Sequence, residues 1–393
     1  MKAILKTRYI NITLFFVAFA LRAYTDAVYE SKGISSGFIV NLKYVVLIVG
    51  IMFCLFQMYI KKRIFKFYKE LVSVLLVVGV FFVFTVFLAV SNGDLSSTFV
   101  MEIIKLTLPI VYAFCVLNTF EFRDVYNSMI FVLLFSIFGY VLEIGIENFT
   151  IQNVTAINFL TSYSPFESHY AAGSAMAMCV FFMYYRENRW LKYLSFLFAL
   201  LTFKRVTIIF AITLLILPKI VDINKAINIW IKRLTPLLFI IATLVYYYLQ
   251  LPNQEKIFSE AIGIDINDLT MGRSKYILRL YYGKYTSGGL GSTTQFLGKS
   301  IEMDLIKILL EMSIVALAIF VIAYWRCSGK NIYTYVYMLF TFFNLLMSHS
   351  LTNAFSWILV FVIIGCITYT QKDDLMYIKY KSKHRKRIRF KFR

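Results

Sequence analysis

Of 393 residues, 60% are hydrophobic and 18% aromatic, only 16% are charged, and the mean hydropathy is +0.72. That balance excludes a soluble globule of this size. Repeated apolar runs of about 20 residues call for spanning helices, because lipid offers no partner for an unpaired backbone amide. Strands of a membrane barrel would be shorter and would alternate, so the expected class is all-α. The net charge of +20 is concentrated at the C-terminus, where "KYKSKHRKRIRFKFR" reads as a basic tail beside an anionic leaflet and not as a nucleic-acid site.

In chain order, apolar runs fall near 9–28, 38–60, 71–91, 99–118, 126–144, 168–185, 190–203, 206–221, 234–250, 301–325, 332–349 and 354–370. This predicts a polytopic protein of about 12 transmembrane helices, the seventh and eighth of them short. Its divisions are nine spans over 1–250, a large extracytoplasmic loop over 251–300, three spans over 301–370 and a basic tail over 371–393. The first 20 residues imitate a signal peptide, but the spans that follow require the first to be retained. Lys and Arg crowd the connections at 61–69, 186–192 and 219–233, and are absent from 91–98 and 146–168. The positive-inside rule therefore predicts both termini in the cytoplasm, in a multi-pass protein of the cytoplasmic membrane.

One connection breaks that rule. In "LLTFKRVTII", Lys204 and Arg205 sit at the outward tip between two short apolar runs. Cations at that depth are costly unless lipid phosphates or a functional anion meet them. The large loop supplies more: Arg273, Lys275 and Arg279 lie in "MGRSKYILRLYYGKYTSGGLGS", where the spacing of Arg273, Tyr276 and Leu280 predicts a short helix over 272–282. Gly288, Gly289 and Gly291 follow, as a turn whose amides could approach an anion. Two outward cationic elements suit a lipid-linked pyrophosphate, since guanidinium groups bind phosphate oxygens in pairs. The five cysteines show no paired spacing and the three histidines no metal spacing, so no disulfide, zinc site or other cofactor is expected.

Those stretches, with "SIEMDLIKILLEMSIVALAIF" and "SPFESHYAAGSAMA", resemble the O-antigen ligase and polysaccharide polymerase superfamily of Wzy-type membrane glycosyltransferases. The resemblance implies a GT-C-like architecture. It also implies an enzyme that joins undecaprenyl-pyrophosphate-linked repeat units, donor and acceptor both lipid-borne, on the outer face of the cytoplasmic membrane. The product would be capsule, O-antigen or a related polysaccharide, and a flippase and a chain-length regulator would be partners. Arg205 and Arg273 are then the pyrophosphate clamp, with Lys204, Lys275, Arg279, Gly289 and Gly291 as further binding residues. For the base, Glu302 with Asp304 and Glu167 with His169 stand as two alternatives. Glu302, Met303 and Asp304 occupy the place where the family's ligases carry a histidine. His349 and Asn344 read as packed hydrogen-bonding groups, and Lys307 with Glu311 as a helical ion pair. A lipid-linked oligosaccharide flippase is the alternative from another class, although two similar halves, expected of a transporter, are not evident.

Overall fold

The computed structural model describes residues 2–33, 37–61, 65–92, 95–157, 164–223, 226–263 and 265–369, the side chains of 2–6, 32, 61, 169, 262, 268 and 269 excepted. The basic tail lies outside the described residues. Every regular element described is a helix. The first five long ones are α1 (Lys2–Val28), α2 (Phe38–Lys61), α3 (Tyr68–Asn92), α4 (Phe99–Thr119) and α5 (Phe122–Ile144). A short α6 (Ile151–Thr155) precedes α7 (His169–Tyr185), the hairpin α8 (Arg189–Leu201) and α9 (Arg205–Ile220), and α10 (Ile229–Leu249). The large loop folds as α11 (Pro252–Ile262), α12 (Ile266–Leu269), α13 (Ser274–Tyr282) and α14 (Ser292–Leu297). The chain then forms α15 (Asp304–Glu311), α16 (Ile314–Arg326), α17 (Ile332–Met347) and α18 (Ala354–Tyr369).

Six of these helices, α1 to α5 and α10, are long and apolar enough to cross a membrane, and α7, α16, α17 and α18 are shorter apolar helices. The protein is a multi-pass helical membrane protein. Its centre is formed by α7 and α18, which are apolar on every face and almost wholly buried. A helix with no polar stripe has to be surrounded on all sides. Around them, α2, α3 and α10 turn side chains such as Phe56, Phe87 and Leu238 outward, as a lipid-facing surface requires.

Hydrogen bonds between connections sort the bundle into two ends. At one, Arg8 bonds Asp124 (2.9 Å), the Lys66 amide bonds Asn118 Oδ1 (2.8 Å) and Asn331 Nδ2 bonds the Ile223 carbonyl (3.0 Å). At the other, Tyr170 donates to the Glu30 carbonyl (3.0 Å), Asn92 to that of Ser287 (2.5 Å) and Lys204 to Ser348 Oγ (3.3 Å). The second end carries the large loop and the Lys204 hairpin together.

The apolar run expected as one span over 301–325 is two helices. It breaks at Met312 and Ser313, and the Ser313 hydroxyl caps α16 by accepting from the Ala316 amide (3.2 Å). A broken helix survives among apolar neighbours only if its freed groups find partners within the protein. They do so in the loop: the Glu311 carbonyl accepts from the Gly289 amide (3.0 Å) and from the Ser287 hydroxyl. Its carboxylate accepts from the amides of Gly291 (2.9 Å) and Thr293 (3.1 Å) and from the Thr293 hydroxyl (2.5 Å).

The glycine turn is thus a plug inserted against the broken helix. Gly289 has φ +86°, and a Cβ there would lie 2.6 Å from a side-chain carbon of Thr85 and 2.7 Å from its backbone. Gly289→Ala should therefore destabilise the protein by about 1–3 kcal/mol, the cost of a strained backbone in an overpacked site. The melting point of the detergent-solubilised variant, followed by loss of the monodisperse species, tests this; an unshifted melt would mean that the turn is not tightly seated.

Candidate functional site

The hairpin between α8 and α9 is sharp because Phe203 takes a left-handed backbone (φ 51°), costly for a non-glycine residue, and packs on Phe166 with ring centroids 5.5 Å apart. This turn sends Lys204 inward to Ser348. Burial lowers the Lys204 pKa, an effect that Arg273 reinforces and that Glu167 and Glu302 oppose. Lys204 therefore feels three other charges, brought from the segment before α7, the large loop and the strip before α15. Arg205 opens α9 with its side chain exposed, so the member of the pair that faces the interior is Lys204, not Arg205.

The expected helix over 272–282 is α13. A left-handed turn at Met271 (φ 54°) and Gly272 (φ 80°) precedes it, and Arg273 points back across that turn to Glu302, with Nε and Nη2 at 3.0 and 2.8 Å from one carboxylate oxygen. The Arg273 side chain is 17% exposed and that of Glu302 is 52% exposed, so this ion pair sits at a solvent-facing rim. Lys275 and Arg279 lie one turn apart on the exposed face of α13.

Two expectations change. The amides of Gly289 and Gly291 are held by the backbone and carboxylate of Glu311, so they are committed within the protein and not presented to a substrate anion. Asp304, expected as a base, is fully buried and saturated: it accepts from the Ser350 amide (2.5 Å), the Leu351 amide (2.6 Å) and His349 Nδ1 (3.0 Å). A carboxylate with those bonds cannot reach a substrate hydroxyl. It fixes His349 instead. His169 begins α7, but its side chain lies outside the described residues. Glu167 is half-buried beside Lys204.

His349 is the residue that sequence reasoning undervalued. Asp304 can only accept, so Nδ1 carries the proton and Nε2 is left with its lone pair, which accepts from Thr352 Oγ1 at 3.0 Å. Burial works to lower its pKa, but the charge and hydrogen bond of Asp304 outweigh burial and the net shift is upward from 6.5. With 35% of its side chain exposed, the ring opens onto a cavity whose mouth also holds Lys204, Ser348 and Ser350. The walls are α7, α17 and α18. No local signal joins Asp304 to His349, which are 45 residues apart; only the meeting of two connections at one end does so.

Among the described residues, no three His, Cys, Asp or Glu side chains gather as metal ligands, and all five cysteines are free and buried. Such a mouth can hold an anion on Lys204 while His349 Nε2, once the Thr352 hydroxyl turns away from it, takes a proton from a substrate hydroxyl. Comparison with known proteins finds no matching family model, no matching curated protein and no matching solved structure.

Proposed function

We infer that the protein is a glycosyltransferase that joins lipid-linked oligosaccharide repeat units, in the manner of the polymerases its sequence resembles. The observation that supports this most is the mouth that Lys204 shares with the Asp304-held His349, within electrostatic reach of Arg273, at the end of the bundle carrying the large loop. Twelve spans with both termini cytoplasmic would turn that end outward, because the connections at 61–69 and 186–192 carry the cations of the opposite end.

The chemistry required is modest. The acceptor hydroxyl oxygen attacks the anomeric carbon of the donor, the bond from that carbon to the pyrophosphate oxygen breaks, and the diphosphate leaves with the electron pair. The hydroxyl proton passes to His349 Nε2. Lys204 and Arg273 neutralise the charge growing on the leaving group, where fixed cations contribute most. Arg273 would exchange its Glu302 partner for the diphosphate, which explains a rim pair left open to solvent. Undecaprenyl-pyrophosphate-linked units as donor and acceptor, and capsule or O-antigen as product, belong to the same reading. A ligase of the same superfamily is the second reading, favoured by His349, which places a histidine at the mouth although the strip before α15 lacks one.

Lys204→Ala and Arg273→Ala should each lower transfer by about 10²–10³-fold, the loss expected when one charge-stabilising donor is removed. Cells carrying either variant should accumulate carrier lipid bearing one repeat unit on the outer leaflet. The same unit trapped on the inner leaflet would instead identify a flippase, and unchanged polymer would remove the clamp from the mechanism.

A further inference from the structure

α17 is largely buried, and its exposed residues are Phe343 and Met347, one turn apart near the end that carries the large loop. They lie between α9 and α10. The Phe343 ring touches Phe210 of α9 on one side (centroids 5.8 Å apart) and Phe239 of α10 on the other (5.5 Å), yet the residue stays 38% exposed. At the opposite end this seam is shut: the Thr235 and Tyr335 hydroxyls share a hydrogen bond (2.7 Å), and the Ile227 amide donates to the Lys330 carbonyl (3.1 Å). Toward the large loop the two helices take different supports. α9 packs on α7, α8 and α17, whereas α10 sends Tyr246 and Tyr247 against the apolar cluster of α13, α14 and α15. A groove about one ring wide is left open to lipid between them, with Phe343 and Met347 as its floor.

The head of the groove is cationic. Met347 is followed by Ser348, which accepts from Lys204, and Tyr246 lies within electrostatic reach of Arg273. A glycerophospholipid suits neither feature, because its paired chains are wider than one ring and its headgroup carries one phosphate. An isoprenoid chain is single and wholly apolar, and a diphosphate offers anionic oxygens to two cations at once. Resting on the transferase reading above, we propose that the groove between α9 and α10 holds the polyisoprenyl tail of the donor, which enters sideways from the membrane with its diphosphate at Lys204. The groove thereby fixes which of the two lipid-borne substrates is the donor, since the tail descends from the cations that receive the leaving diphosphate.

Native mass spectrometry of the full chain in detergent tests this with undecaprenyl diphosphate and phosphatidylglycerol as probes, and repeat-unit transfer is measured on the same preparations. The wild type should bind undecaprenyl diphosphate about tenfold or more tightly than phosphatidylglycerol. Met347→Trp, which fills the groove with an indole, should weaken the polyprenyl diphosphate by about tenfold and leave phosphatidylglycerol unchanged. Phe56→Trp, on the lipid-facing side of α2, should alter neither. Met347→Glu provides a second variant should the first fail to assemble. Equal binding of the two lipids, or undecaprenyl diphosphate held at wild-type strength by an assembled Met347 variant, would overturn the groove as the tail site. Transfer that persists alongside either result would sink the groove alone. Binding that the variant weakens, in a protein without transfer, would leave the tail site standing and sink the transferase reading instead.

Discussion

His349→Gln should lower repeat-unit transfer by about 10²- to 10⁴-fold, the range of a lost general base, while the protein still inserts and purifies as a monodisperse species. Glutamine preserves the size and a donor toward Asp304 but cannot accept the hydroxyl proton. The alternative, that His349 merely fastens the connection before α18, makes a different forecast. That connection is already held by the Asp304 bonds to the Ser350 and Leu351 amides, which do not involve the imidazole. A structural role would therefore show as a lowered melting point with residual activity, and a catalytic one as lost activity with an unshifted melt.

The pH profile separates the two further. As a base His349 works only when neutral, so kcat/KM should fall as pH drops through its pKa, which Asp304 raises above 6.5 against the opposing effect of burial. The ion pair has the opposite dependence: it stabilises the fold below that raised pKa and is lost as pH rises through it. Asp304→Asn removes the charge that lifts the imidazole, so the acidic limb of the profile should move to lower pH. A limb that does not move in an assembled Asp304→Asn protein would take His349 out of the proton transfer.

The helices were legible because lipid and a buried core impose the same simple demand, an unbroken apolar run. The run expected over 38–60 is α2, Phe38–Lys61, and that over 126–144 lies within α5, Phe122–Ile144. The Lys204–Arg205 tip stood out for the converse reason, as cations where none should be. Which of the two faces inward depends on the left-handed turn at Phe203, and no residue type announces that turn. The break at Met312 and Ser313 was hidden because its compensation comes from residues 287–293, about 20 positions away, while Lys307 and Glu311 read as an ordinary helical ion pair. Asp304 and His349 were hidden from each other in the same way. Each has an ordinary local reading, as a helix-capping carboxylate and a packed histidine, and the chemistry emerges only where their connections meet.

Glu311→Leu should destabilise the protein by about 3–5 kcal/mol, the cost of leaving a buried ionic network without one partner. Glu311 is fully buried, and Lys307, one turn earlier, is 1% exposed and donates to Glu102 at 2.6 Å. Removing Glu311 takes the acceptor from three donors of the glycine plug and leaves Lys307 to a single counter-ion whose second oxygen already lacks a partner. The helix ending in that carboxylate begins with Asp304, so slack at one end is transmitted to the residue that orients His349. Transfer should accordingly fall together with stability, unlike in His349→Gln, where the two separate. Glu102→Gln, Lys307→Met and Glu311→Leu combined should recover part of the lost stability, because apolar packing can replace a buried ion cluster but cannot replace half of one. That recovery need not restore transfer, since leucine still gives the plug amides nothing to bond. A Glu311→Leu protein that melts with the wild type and retains full transfer would show that the plug is seated by other contacts and that α15 holds Asp304 without it.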